Sequence, residues 1–368
     1  MTQTTDLLAQ LADIDPASPL AAARQQRDAA TRHSQGSYLA LFSNGSTDFP
    51  LQQRLAVAAQ VASWHQEDQL AAHYASQTAS IPQNAAYQLA LDHAQRLTFQ
   101  PVSATAEHLV ILQQAGWTPD AIVTLSQIIA FVSFQSRLVR GYRLISGYSV
   151  TDSHTAFSAG EWHHQPQTQT SKAAPVRFTT AELGWEPWIA AKPLAEYDAE
   201  QQQTLARFGH TDSDYFRLLG RNLPVLEQRT LTDKGIFYTS AGLPRAEREL
   251  AAAVASKVNG CIFCASVHAR KAAQLSKQPE AVQRLLDTPP GGQLSAQQSS
   301  RWQAEIDFAA AISATPASAS AQQIQQLRAE GLNELELLDL LQSAAFFAWA
   351  NRLMLTLGEP FIPAEHNQ

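Results

Sequence analysis

Cysteine is almost missing from this chain, with two in 368 residues. So few thiols leave no disulfide framework and no second pair to complete a zinc knuckle. Charge is sparse as well. Asp, Glu, Lys and Arg make up 16%, against a usual share of about 25%, which points to extensive burial and subunit contacts. The net charge of −7 and the lack of a basic stripe argue against a nucleic-acid partner. No apolar run stands out as approaching the roughly 20 residues of a membrane span. Residues 1–15 show no basic segment leading into an apolar core, so no secretory signal is expected. These absences lead to the expectation of a cytoplasmic protein, where a close thiol pair is more often catalytic or metal-binding than a structural staple. Runs of β-branched residues are few too, while Ala, Leu, Gln, Glu and Arg abound. An all-α fold with no sheet of consequence follows.

What is present is concentrated. The two cysteines, Cys261 and Cys264, stand three apart, and His268 follows one helical turn after the second. On a helix the three side chains fall within an arc of about 60°. A thiol pair that can close into a disulfide, with a base on the same face, is the minimum kit for thiol redox chemistry. Zinc is the competing reading, but it needs a fourth ligand from a distant His, Asp or Glu.

The chain also repeats itself. Ser103 to Leu138 aligns without a gap on Ser318 to Leu353. Leu125, Gln127, Ala130, Phe131, Arg137 and Leu138 recur as Leu340, Gln342, Ala345, Phe346, Arg352 and Leu353. In each copy a Gly closes one helix, and Thr118 or Asn333 caps the next. That next helix is apolar on most sides and is expected in a bundle or an interface, which predicts a homo-oligomer. Phe49 to Tyr74 parallels Leu243 to His268. There Leu55, Glu67, Leu70 and Tyr74 stand where the second copy has Glu249, Cys261, Cys264 and His268. The first copy therefore has the scaffold without the thiols, unless His65, Glu67 and His73 form a site of their own. The expected organisation is residues 1–150 as a degenerate helical domain, 151–175 as a linker or arm and 176–368 as the catalytic domain. His163 and His164 fall in the linker, read as a solvated pair. Trp185 and Trp188 mark an ordered arm anchored on the other domain.

Leu-Pro-Arg-Ala-Glu-Arg-Glu-Leu at 243–250, Asn-Gly-Cys-Ile-Phe-Cys at 259–264 and then His268 resemble the alkylhydroperoxidase D and carboxymuconolactone decarboxylase family. The peroxidase-related branch is most similar, over about residues 178–360. The resemblance implies an all-α bundle, here duplicated, and reduction of hydroperoxides by a cysteine pair with a Glu and a His in a proton relay. It places the relay glutamate at Glu249, the thiols at Cys261 and Cys264 and the histidine at His268. Some relatives carry a second His where this chain has Phe263. The decarboxylases of the superfamily lack the Cys pair, which makes lactone decarboxylation the less expected activity.

Glu249 lies about 18 Å of helical rise before Cys261, too far for contact along one helix. Asn259-Gly260 is a natural stop, so two helices are expected, near 244–258 and 261–275, folding Glu249 back toward His268. Cys261 then sits at a helix N-terminus, where the dipole favours thiolate. Cys264, nearer the base, is the expected attacking thiol. No Gly-x-Gly-x-x-Gly occurs in a strand-turn-helix setting, so no cofactor is expected. A thioredoxin-like or lipoylated protein would then return electrons. Two other functions use the same residues: a disulfide oxidoreductase or redox sensor, and an assembly protein with vestigial thiols.

Overall fold

The computed structural model describes residues 6–43, 48–79, 84–151, 153 and 155–364. Helices α1 (Leu7–Leu11), α2 (Pro19–Gln26), α3 (Asp28–Leu41), α4 (Leu51–Trp64), α5 (Asp68–Ala75), α6 (Ala85–Phe99), α7 (Ala106–Gln114) and α8 (Pro119–Ile145) build the first half. An arm follows and carries strand β1 (Gly184–Pro187). The second half holds α9 (Ala199–Arg207), α10 (Asp214–Leu219), α11 (Leu223–Phe237), α12 (Arg245–Val258), α13 (Ile262–Ser276), α14 (Pro279–Asp287), α15 (Ser300–Ser313), α16 (Ala321–Ala329) and α17 (Glu334–Thr356). Strand β2 (Gly358–Phe361) closes the chain antiparallel to β1, with Trp185 opposite Pro360. The fold is all-α, as composition implies.

Helix boundaries recur between the halves because the local signals recur. α4 and α12 both run for 14 residues, and each enters from a proline, Pro50 or Pro244. α7 and α16 both run for 9 residues, and each opens on a capping box, at Thr105 and at Ser320. Thr118 and Asn333 cap α8 and α17 through their side chains, which satisfies backbone N–H groups that the first turn leaves open. Between α13 and α15 the second half inserts α14, which buries Ala281, Val282, Leu285 and Leu286.

The halves grip each other by exchanging equivalent groups. α3 lies along α11, and α8 along α17. Arg137 of α8 donates to the carbonyls of Ser313 and Ala314 at the end of α15, both at 3.0 Å. Its counterpart Arg352 of α17 donates to the Thr98 carbonyl near the end of α6 at 2.8 Å. Arg27, at the start of α3, holds Asp339 of α17 at 2.6 and 2.8 Å. In the corresponding place Asn222, at the start of α11, donates to Thr124 of α8 at 3.1 Å. Phe131 packs edge-on against Trp349, and Phe346 edge-on against Phe134. Residue i of one half meets residue j of the other, and the reverse holds too. This is the pattern of an isologous interface, here inside one chain with one continuous apolar core.

One expectation needs correction, and the ground for a second changes. The chain does contain a segment with the length and hydropathy of a membrane span. It is α8, 27 residues long, and its most apolar window is entirely buried within the protein. The sequence reading underrated it because Gln127, Gln135, Arg137 and Arg140 punctuate the run. All four are buried. Second, the apolar girth of α8 and α17 that suggested a homo-oligomer is covered within one chain, by each other and by the helices around them. A homo-oligomer is therefore a proposal that must rest on other surfaces.

Candidate active site

Asn259 and Gly260 end α12 and turn the chain, with Gly260 at φ +76°. A Cβ there would lie 2.0 Å from the Glu161 carbonyl oxygen of the arm, so only glycine permits this approach. Cys261 takes the N-cap position, and α13 begins at Ile262. The hairpin of α12 and α13 brings Glu249 beside His268. The His268 Nδ1 and Glu249 Oε2 share a hydrogen bond. Arg245, one turn before Glu249, donates from Nε to Oε1 at 2.6 Å, and its guanidinium also bonds the Phe237 carbonyl. Glu249 has no exposed surface. Burial pushes its carboxyl up, but the bond and charge of His268, then Arg245 and Lys271, outweigh burial and hold it below the usual carboxylate range. Phe347 sets its ring edge-on to His268 at 4.3 Å.

The two thiols sit differently. Both are free and buried. Cys261 stands at a helix N-terminus, as expected, yet its thiol is pushed well above the ordinary range. Burial is the largest cause, and the hydrogen-bonded Cys264 thiol adds to it. The helix dipole that favours thiolate is outweighed. Asn351 of α17 hydrogen-bonds Cys261 and ties the turn together, accepting from Asn259 at 3.1 Å and donating to Ser256 at 3.0 Å. Cys264 and His268 line one cavity of about 450 Å³, together with Tyr215, Arg229, Asp233 and Phe346. Cys261 lines a separate cavity of about 110 Å³ beneath the arm. The structure thus brings Cys261, Cys264, His268 and Glu249 together, with a different space on each side of the thiol pair.

The sequence reading missed Arg245, Tyr215, Arg229, Asp233 and Asn351. Arg245 was legible, as a cation at i−4 from a carboxylate on a helix. The others come from α10, α11 and α17 and carry no local signal. Asp233 is held above the usual carboxylate range by burial. In the first half, Leu55, Leu70 and Tyr74 are buried, and Tyr74 donates to Gln135. Burial pushes the Glu67 carboxyl up to about 8, against the pull of Arg140 and Arg143. His65 bonds Ser133 and His73 bonds Tyr38, so His65, Glu67 and His73 do not converge. The arm is also closer than a linker. The Gly160 N–H donates to the Lys257 carbonyl at 3.0 Å. Trp185 donates to the Met354 carbonyl at 3.1 Å, anchoring this segment on the second half. His164 is exposed, as a solvated residue would be. His163 departs from that reading, because its Nε2 is buried.

Residues 224–292, which span nearly all of α11 through α14 and the turn after it, match the model of the carboxymuconolactone decarboxylase family. This segment is carboxymuconolactone decarboxylase-like. The match contains Glu249, Cys261, Cys264 and His268. Among solved structures, the chain is similar to an uncharacterized peroxidase-related protein from Silicibacter sp. TM1040. Identity is 23% and the TM-score 0.39, over 48% of this chain and 94% of that one. No curated protein matches.

Proposed function

We propose that this chain is a thiol peroxidase that reduces organic hydroperoxides through Cys264 and Cys261. The observation that carries the reading is His268, hydrogen-bonded to the buried Glu249, in the wall of the same cavity as Cys264. Glu249 fixes the imidazole and compensates its charge, as a carboxylate does in a triad, and His268 takes the Cys264 proton. The Cys264 thiolate attacks the distal peroxide oxygen. The O–O bond breaks, the alkoxide leaves as alcohol with a proton from His268, and the sulfur becomes a sulfenic acid. Cys261 then condenses with it, releasing water and closing the disulfide. The raised Cys261 thiol stays protonated while Cys264 reacts and so does not compete in the first step; it gives up its proton, to the departing hydroxide, when it attacks the sulfenic acid. An external dithiol, of the thioredoxin-like or lipoylated class, restores both thiols. The apolar walls of Phe346, Phe347 and Met354 favour an organic hydroperoxide over hydrogen peroxide. The first half, read as a degenerate copy of the second, serves assembly, and a cytoplasmic setting suits thiols that must be reduced after each turnover.

The test is consumption of cumene hydroperoxide with dithiothreitol as reductant. Wild type turns over, Cys264→Ser does not, and Cys261→Ser accumulates oxidised Cys264. If the wild type consumes no peroxide while both thiols titrate, the reading fails.

A further inference from the structure

Arg229 of α11 differs from the other buried arginines. It is 6% exposed, and a guanidinium so buried is nearly always paired. Arg54, Arg137, Arg248 and Arg352, comparably buried, each place two or more N–H groups on backbone carbonyls. Arg229 does not. It makes one long hydrogen bond, from Nη2 to the Tyr215 hydroxyl at 3.4 Å, and no ion pair among the described residues. The rings of Phe346, Trp349 and Tyr215 lie 5.1, 5.8 and 5.9 Å from its Cζ. They ease its burial but leave most of its N–H groups unused. Nε is closed off, whereas Nη1 is neither bonded nor closed off. Arg229 lines the cavity of about 450 Å³ that also holds Cys264 and His268, so these unspent donors belong to the candidate active site.

We propose that Arg229, with the Tyr215 hydroxyl, is a carboxylate-binding site, and that the hydroperoxide reduced at Cys264 carries a carboxylate that docks there. A carboxylate matches the edge of a guanidinium with its two oxygens, and Nη1 and Nη2 form the edge that remains. Tyr215 accepts from Nη2 and keeps its own hydroxyl hydrogen for the same anion. Burial pushes the phenol up, so it stays protonated. Tyr215 is also within electrostatic reach of Cys264, which links the cation to the reacting thiol. Asp233, one turn further along α11, lines the same cavity. It makes no ion pair with Arg229, and burial works against its charge, so it does not use the free donors. Asp212 and Asp214 are exposed, and Asp214 is held by Arg217. The inference rests on the peroxidase reading for its substrate. The step is the one written above, with a hydroxy acid as the product.

Two measurements on the full-length protein test it. The first compares cumene hydroperoxide with its para-carboxy derivative, with dithiothreitol as reductant. The acid is expected to show a kcat/KM about 10- to 100-fold higher, the worth of hydrogen bonds to a charged group. Arg229→Met should bring that ratio to about twofold or less, Arg229→Lys should keep part of it, and Tyr215→Phe should lower it by a few-fold. The second needs no turnover. By calorimetry, 4-isopropylbenzoate should bind the reduced protein at least about tenfold more tightly than 4-isopropylbenzamide, which has the same shape without the charge. Consumption of cumene hydroperoxide with no preference for the acid would overturn this inference and leave the peroxidase reading in place. Tight benzoate binding that depends on Arg229, without turnover of either peroxide, would do the reverse. An equal loss on both peroxides in Arg229→Met would place Arg229 at the reacting oxygens and also overturn it. Should Arg229→Met fail to fold, the benzoate and benzamide affinities of the wild type decide, and equal affinities refute the site.

Discussion

Glu249 is fully buried, and His268 and Arg245 hold both of its oxygens. If it orients His268, Glu249→Gln should lower peroxide turnover by about 10²–10³-fold, the usual range of a general acid–base contribution, with little change in KM. Stopped-flow oxidation of Cys264 checks this, and an unchanged rate would remove Glu249 from the relay. The same carboxylate sets a pH dependence of stability. Its folded pKa lies below the ordinary 4.5, so the unfolded chain binds the proton more readily. The stability it contributes is present above about pH 4.5 and is lost as pH falls through the lower folded value. Chemical denaturation between pH 3 and 6 should therefore show a shallower acid limb for Glu249→Gln than for wild type. A second residue shows where the two halves differ. Gln127 accepts from Trp349 Nε1 at 2.7 Å, but its counterpart Gln342 has Phe134 in the corresponding place, and its Oε1 is buried without a partner among the described residues. Gln342→Leu is therefore expected to leave stability unchanged or raise it by about 1 kcal/mol, measured by urea unfolding.

Among the elements, the turn from α12 to α13 matters most. Gly260 faces the Glu161 carbonyl, and across the same contact a Cβ on Gly160 would lie 2.1 Å from the Val258 carbonyl oxygen. Two glycines thus let the arm press on the redox turn, with backbone against backbone. Gly260→Ala is strained by its positive φ and by the clash together, and should cost about 1–3 kcal/mol. Since the arm roofs the Cys261 cavity, the same substitution should speed alkylation of Cys261 well before global unfolding. Hydrogen exchange of residues 158–176 and thiol modification rates read this. A loss of stability with Cys261 still protected would mean that the arm is held elsewhere.

At the scale of the molecule, α8, α17, α3 and α11 form a shared interior. Arg137 and Arg352 cross it to carbonyls of the opposite half, and both reach Thr315 Oγ1. Arg352→Met would leave the buried Thr98 carbonyl without that donor, at about 1–3 kcal/mol, and thermal unfolding should lose cooperativity if the halves separate. Residues 176–368 expressed alone would expose the faces of α11 and α17 that α3 and α8 cover. They would also lose Arg27, which bonds the Ala241 carbonyl at 2.9 Å and holds Asp339, itself the acceptor for the Leu243 N–H at 2.9 Å. That loop leads into α12. The fragment is expected to aggregate or self-associate and to lose thiol reactivity, as read by light scattering and alkylation. A monomeric fragment with wild-type kinetics would show that the first half is dispensable.

Local chemistry was enough to find the helices and the pair of thiols. Caps at Thr118 and Asn333, the Asn259-Gly260 stop and the spacing of Cys261, Cys264 and His268 act over one or two turns, so they can be read along the chain. The recurrence of Gln127, Phe131 and Arg137 as Gln342, Phe346 and Arg352 was visible for the same reason, since packing repeats leave repeating residues. Long-range placement was not visible. That Arg137 and Arg352 swap partners across the halves depends on how α8 meets α17, and no local pattern encodes it. The segment 151–175 reads as a linker because Ser, Thr, Gln and His are solvated when nothing covers them; in the fold its Gly160 N–H bonds the Lys257 carbonyl and His163 Nε2 is buried. The helix dipole at Cys261 is a property of sequence and secondary structure, but the burial that overrides it is supplied only by the tertiary fold, which packs the turn away from solvent even against the opposing pull of the Asn351 hydrogen bond.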